Sequence, residues 1–111
     1  MTDRPRIVRL TPAADRDIDD ILDYAIANGP IAEATALIDE LLDKAQSLAR
    51  FSDRGPVPEE LARVGEHRYR QLNHRQFRII YRRIADTVTI FLIADGRREM
   101  VALLTQRLTG V

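Results

Sequence analysis

The chain contains no cysteine. A disulfide framework and a thiolate zinc site are therefore both excluded. Histidine occurs only at positions 67 and 74, and two imidazoles at that spacing without a cysteine make a poor metal signature. No metal and no cofactor is expected. No apolar run approaches the ~20 residues that span a bilayer. The first ten residues, MTDRPRIVRL, lack the apolar core and small-residue cleavage pattern of a secretory signal. The expectation is a soluble, cytoplasmic protein that does not engage a membrane. A Gly-rich phosphate loop, a nucleophile elbow and a paired acid–base motif are missing too. Lysine is almost absent: of 17 basic residues, only Lys44 is not an arginine.

What is present fits a single domain over residues 1–111. A chain of this length buries roughly two-thirds of its unfolded surface and needs no covalent staple. The formal net charge is zero, but it is unevenly distributed. Residues 1–66 carry 8 basic and 14 acidic side chains, whereas residues 67–111 carry 9 and 3. Codon preference alone would favour arginine but would not segregate the charges. Arginine's planar fork of donors suits carboxylates and phosphates.

Residues 67–98 organise the rest. The segments 67–73, 77–84 and 88–94 are rich in aromatic and β-branched residues and are bounded by polar or turn-prone positions, so they read as three strands. In 77–84, alternation places Phe77, Ile79, Tyr81 and Arg83 on one face, and Arg78, Ile80, Arg82 and Ile84 on the other. The segment 88–94 is apolar on both faces, as a central, covered strand should be. The short link 85–87 fits an antiparallel hairpin.

Before this region, 6–10 is a short strand candidate of ambiguous facing. Thr11-Pro12 starts a helix over 12–27, with a threonine cap and a proline whose missing N–H costs nothing there. Its apolar stripe is Ile18, Ile21, Leu22 and Ala25. Its aspartates read as a solvated face, those near the start favouring the helix dipole. Asn28-Gly29-Pro30 ends it, with glycine in the left-handed conformation. A second helix over 31–50 carries Ala34, Leu37, Ile38, Leu41, Leu42, Ala45, Leu48 and Ala49, and should pack on the first as an antiparallel hairpin. Residues 51–66 are irregular, with a possible helical turn at 59–64. A final helix over 99–108 presents Met100, Leu103, Leu104 and Leu108. The expected fold class is α+β, order β-α-α-β-β-β-α, with a helix hairpin and a short C-terminal helix packed on an antiparallel sheet.

The arginines are the candidate functional groups. Arg68, Arg70, Arg78, Arg82, Arg97, Arg98 and Arg107 would line one basic face of the sheet, suited to phosphates or an acidic protein segment. The alternative is that they lie along sheet edges and pair with the acidic helices. Tyr69, Phe77, Tyr81 and Phe91 read as core rather than as stacking platforms, with Tyr81 open until its facing is known.

Taken in order, LTPAADRDIDDILDYAIANG, GEHRYRQL, FRIIYRR, IADGRRE and the closing QRL resemble the RelE/ParE superfamily of bacterial type II toxins from about Val8 to Leu108. The resemblance implies a small toxin held in a hetero-oligomer by a cognate antitoxin. The antitoxin's C-terminal segment would fold on binding, by lying in a groove or by adding a strand. It also implies one of two targets. RelE-like members cleave messenger RNA on the ribosome, with the 2′-hydroxyl as nucleophile, cations stabilising the transition state and a general acid protonating the leaving oxygen. ParE-like members poison DNA gyrase by protein–protein contact.

Carried over by position, Arg78 matches the arginine of the superfamily's YR-x-x-Y strand, and Arg98 matches the basic residue after the glycine turn. These two, with Tyr81, are the catalytic candidates of a nuclease. The RelE tyrosine six residues further on is replaced by Leu104, and the last helix holds no tyrosine or histidine. RelE's strand lysines are absent too, although Arg68 and Arg70 lie nearby. The DYAIANG turn is closer to ParE. The reading is a gyrase-inhibiting toxin. Its alternatives are a RelE-like endoribonuclease with His67, His74 or Tyr81 as acid, and a basic-faced interaction domain whose toxicity has been lost.

Overall fold

A computed structural model describes residues 4–109. The first three and last two residues of the expected domain, including the start of the N-terminal stretch, lie outside the described residues. The elements are β1 (Ile7–Leu10), α1 (Pro12–Asn28), α2 (Ile31–Gln46), α3 (Glu59–Ala62), β2 (Arg70–His74), β3 (Phe77–Ile84), β4 (Thr87–Asp95) and α4 (Met100–Thr109). A 3-10 turn, Ser47–Ala49, follows α2. The expected order is present, with α3 as the short additional turn.

The four strands form one sheet in the order β1-β4-β3-β2. β2, β3 and β4 pair antiparallel as expected. β1 joins β4 in parallel, so the sheet is mixed. The hairpin of α1 and α2 covers one face. Leu41 and Leu48, both fully buried, pack there with Ile79, Tyr81, Val88 and Ile90. α3 and α4 cover part of the other face, where Leu61, Met100 and Leu104 meet Ile80, Phe91 and Leu92. β4 is thus central and buried from Val88 to Ala94.

Local chemistry explains the boundaries. The Thr11 hydroxyl accepts the Ala14 N–H at 3.1 Å, and Pro12 occupies the first turn. Gly29 is extended, with φ −173°, rather than left-handed. The helix ends there because Pro30 follows and starts α2, its carbonyl accepting the Ala34 N–H at 3.1 Å. The end of the second helix, expected to reach 50, tightens into the 3-10 turn. β2 begins at Arg70 rather than 67, because the Glu66 carboxylate accepts the Arg68 N–H at 2.9 Å and bends the chain before the ladder. In β1, Val8 and Leu10 pack on the core while Ile7 is exposed.

A β-bulge sits in β4. Ile80 pairs with Leu92 and Tyr81 with Ile90, leaving Phe91 as the extra residue. Phe91 and Leu92 consequently both join the cluster beneath α4, and Phe91 meets Tyr69 edge-to-face at 5.5 Å. On the outer side of β2, the Gln71 N–H donates to Pro56 O at 2.9 Å. A Cβ on Gly55 would lie 2.0 Å from Gln71 O, so only glycine allows this approach.

Replacing Leu41 by alanine should cost about 2–5 kcal/mol, the range for a fully buried leucine. Urea denaturation measures it, and a loss under about 0.5 kcal/mol would contradict the packing of α2 on the sheet.

Candidate functional site

The seven arginines nominated from sequence do not share one face. Four are paired with carboxylates: Arg68 with Glu66, Arg78 with Glu60, Arg97 with Asp95 and Arg107 with Asp17. Arg70 turns under the loop before α3 and donates to Gly55 O at 2.7 Å. Arg82 lies over the Tyr69 ring, 5.8 Å from its centroid. Arg98 is exposed at the start of the turn into α4. The pairing alternative therefore describes most of the group, although of the partners only Asp17 belongs to the helix hairpin, Glu66 lying in a loop, Glu60 in α3 and Asp95 at the end of β4.

Arg78 is largely enclosed, its side chain 15% exposed. Its guanidinium makes two 2.8 Å hydrogen bonds to the Glu60 carboxylate and two more, of 3.0 and 2.5 Å, to Gln71 Oε1. Its side chain lies across Gly96, where a Cβ would approach Arg78 Cδ to 2.9 Å. The guanidinium's hydrogen bonds and charge hold the Glu60 carboxyl at about 2, against burial, which acts to raise it. A cleft of about 320 Å³ between Glu60, Gln71, Asn73 and Arg78 opens beside the pair.

Tyr81 belongs to the core, with no exposed surface. Its hydroxyl donates to Ser52 O at 2.9 Å and accepts the Gly55 N–H at 3.3 Å. Burial pushes its pKa up. In this position it fastens the 52–55 loop to the sheet and has no access to a substrate. His74 bonds Glu40 at 2.6 Å, and Arg75 shares that carboxylate at 3.0 Å. His67 is exposed.

Asp17 departs from the solvated-face reading of the helix-one aspartates. β1 pairs with β4 only as far as Ile90, so the next stretch of that β4 edge has no strand beside it. Asp17 accepts the Ile93 N–H at 3.0 Å, and Arg107 donates to Phe91 O at 2.7 Å. The two side chains bond each other at 2.7 and 2.9 Å. An ion pair from α1 and α4 thus satisfies the edge where the strand stops. Helical spacing alone does not distinguish Asp17 from its neighbours, because its partners are 76 and 90 residues away.

Beyond the pair lies a groove of about 520 Å³, bounded by α1, α2, the β2–β3 turn and the end of β4. Arg97 and Arg98 line it, together with Arg75, which the sequence did not single out. Among the described residues, no group of three or more His, Asp or Glu side chains is placed to hold a metal ion.

A helix hairpin and a C-terminal helix on a β1-β4-β3-β2 sheet is an arrangement found in solved bacterial toxin–antitoxin proteins. The chain superposes on the chromosomal ParDE toxin–antitoxin system of P. aeruginosa with a TM-score of 0.71, at 18% identity over 84% of this chain and 98% of that one. It superposes on the RelBE2 toxin–antitoxin complex of Mycobacterium tuberculosis with a TM-score of 0.60, at 21% identity over 85% and 94%. No curated protein sequence matches it significantly. The family profile described as ParE toxin of type II toxin-antitoxin system, parDE, matches residues 8–100. The chain belongs to that family, the ParE toxins of type II toxin–antitoxin systems.

Two measurements test these pairs. A lowered carboxyl pKa means that Glu60 contributes stability above its ordinary pKa of 4.5 and loses it as the pH falls toward about 2. Urea melts across that window should show wild type losing on the order of 2 kcal/mol that Glu60→Gln does not lose. Arg107→Ala should cost about 2–3 kcal/mol at neutral pH, somewhat below the cost of breaking a fully buried pair. A change within about 0.5 kcal/mol would mean that water replaces the ion pair at the β4 edge without loss.

Proposed function

We propose that this toxin acts in the cytoplasm by protein–protein contact with DNA gyrase, arresting growth, and that a cognate antitoxin neutralises it. The observation that carries the reading is the closed state of Arg78. A nuclease would need this guanidinium free to meet a scissile phosphate. Here it is occupied by a carboxylate of the same chain, at 2.8 Å on two nitrogens. A phosphate would have to displace Glu60 and leave that carboxylate unpaired beside it. The general acid fares no better, since Tyr81 is a core residue and Leu104 is buried where RelE has tyrosine. His74 is bonded to Glu40, which leaves exposed His67 as the remaining nominated proton donor, and a misplaced donor is worth a factor on the order of 10²–10⁴. Contact with a protein target requires neither group.

Both solved relatives are described as toxin–antitoxin systems or complexes, which supports an antitoxin partner here. A RelE-like endoribonuclease acting on messenger RNA in the ribosome is the alternative.

The test is a supercoiling assay with gyrase and the purified chain. Lost supercoiling with accumulation of cleaved DNA is the expected result. A folded chain that arrests growth on induction, leaves gyrase untouched and cleaves messenger RNA on ribosomes would overturn the proposal. A folded chain that does not arrest growth in a strain without the antitoxin would overturn the toxic activity itself.

A further inference from the structure

α3 and α4 leave one end of their side of the sheet uncovered. The strand registers set Ile7, Thr87 and Ile84 side by side across β1, β4 and β3, and cross-strand partners share a face. Val8 and Val88 pack under the helix hairpin, so this row points the other way. Ile7 is 66% exposed and Ile84 52%. The next row on the same face is Arg9, Thr89 and Arg82. Arg9 is exposed, and half-buried Arg82 rests on the Tyr69 ring. Among the described residues, the salt bridges involve neither of these arginines. Glu66 feels the charge of Arg82 but is bonded to Arg68. Asp86 lies in the turn beyond the apolar row, on the side away from the arginines.

We propose that this bare end of the sheet is the surface by which the toxin holds its protein target, and that the target meets it with an apolar side chain beside carboxylates. The inference rests on the gyrase reading above and adds where the contact lies and by what chemistry. The isoleucines supply apolar surface that water covers in the free chain, the kind of anchor on which affinity depends. The arginines supply charge that the chain itself leaves without a carboxylate, so a partner's acid gains a new pair instead of displacing an existing one. The Tyr69 ring holds the Arg82 guanidinium in place before the partner arrives, which lowers the entropy lost on docking. A second copy of the chain fits less well, because its own face offers one carboxylate, Asp86, against two arginines. A nucleic-acid strand would leave the isoleucines unused, and Tyr69, being buried, gives no ring for a base to stack on.

The experiment measures binding of the purified full chain to purified gyrase by biolayer interferometry, with supercoiling followed in parallel. Two double variants are compared with wild type: Ile7→Ala with Ile84→Ala, and Arg9→Glu with Arg82→Glu. Thermal melts check their folding, and the isoleucine pair, truncated at exposed positions, keeps the test open if the arginine pair does not fold. Each folded variant should bind gyrase at least about tenfold more weakly and lose inhibition to match. The loss from the arginine pair should shrink as salt is raised, and that from the isoleucine pair should not. Folded variants that bind and inhibit as wild type does would overturn the docking assignment and leave the gyrase reading intact. A folded wild-type chain that does not bind gyrase would overturn that reading and this assignment with it. A dimer in size-exclusion chromatography that the isoleucine variant dissolves would give the face to a second copy. RNA binding lost in the arginine variant, with gyrase binding unchanged, would give it to nucleic acid. Either result would overturn the proposal.

Discussion

β4 must be covered on both faces. Its residues from Val88 to Ala94 are all buried, so a single layer of helices would leave half of them in water. The hairpin of α1 and α2 takes one side, and α3 with α4 takes the other. α1 and α4 come from opposite ends of the chain, and β4 outlasts β1 at the edge between them. The Asp17–Arg107 pair joins the layers at that point. Its geometry follows from the backbone: one free N–H and one free C=O require an acceptor and a donor, and a carboxylate and a guanidinium supply them while neutralising each other.

The same pairing logic governs the other arginines. Arginine is chosen where a fork of donors meets a planar acceptor, and most such acceptors here belong to the chain itself. Arg78 meets Glu60, Arg68 meets Glu66 and Arg97 meets Asp95. The basic character of residues 67–111 is thereby engaged largely in internal contacts. Of the seven, Arg98 stays exposed at the end of β4, across the groove from Asp20 and Glu33.

Local chemistry was readable from sequence, whereas contacts between distant segments were not. The start of α1 and the break before α2 follow from Thr11-Pro12 and Asn28-Gly29-Pro30, and the hydrogen bonds that set them lie within a few residues. β3 occupies the expected residues because its turns lie at both ends. Alternation had already grouped Tyr81 with Phe77 and Ile79, the face that proves to lie under the hairpin. The parallel pairing of β1, the role of Asp17 and the closure of Arg78 depend on partners that periodicity cannot assign. The family resemblance named the fold and nominated Arg78 and Tyr81, but neither the Glu60 partner of the first nor the full burial of the second was legible in it.

The treatment of the sheet margins bears on behaviour in solution. With a formal net charge of zero, copies of this chain have little long-range repulsion to keep them apart. Unpaired strand margins would then invite copies to stack. At β2 the loop through Pro56 already occupies the Gln71 N–H, and at β4 the ion pair occupies the stretch beyond β1. β1 is only four residues long, and the Arg6 N–H beside it is tied to Ala49 O at 2.7 Å. Short-range blocking of this kind opposes edge-to-edge stacking where a net charge of zero does not.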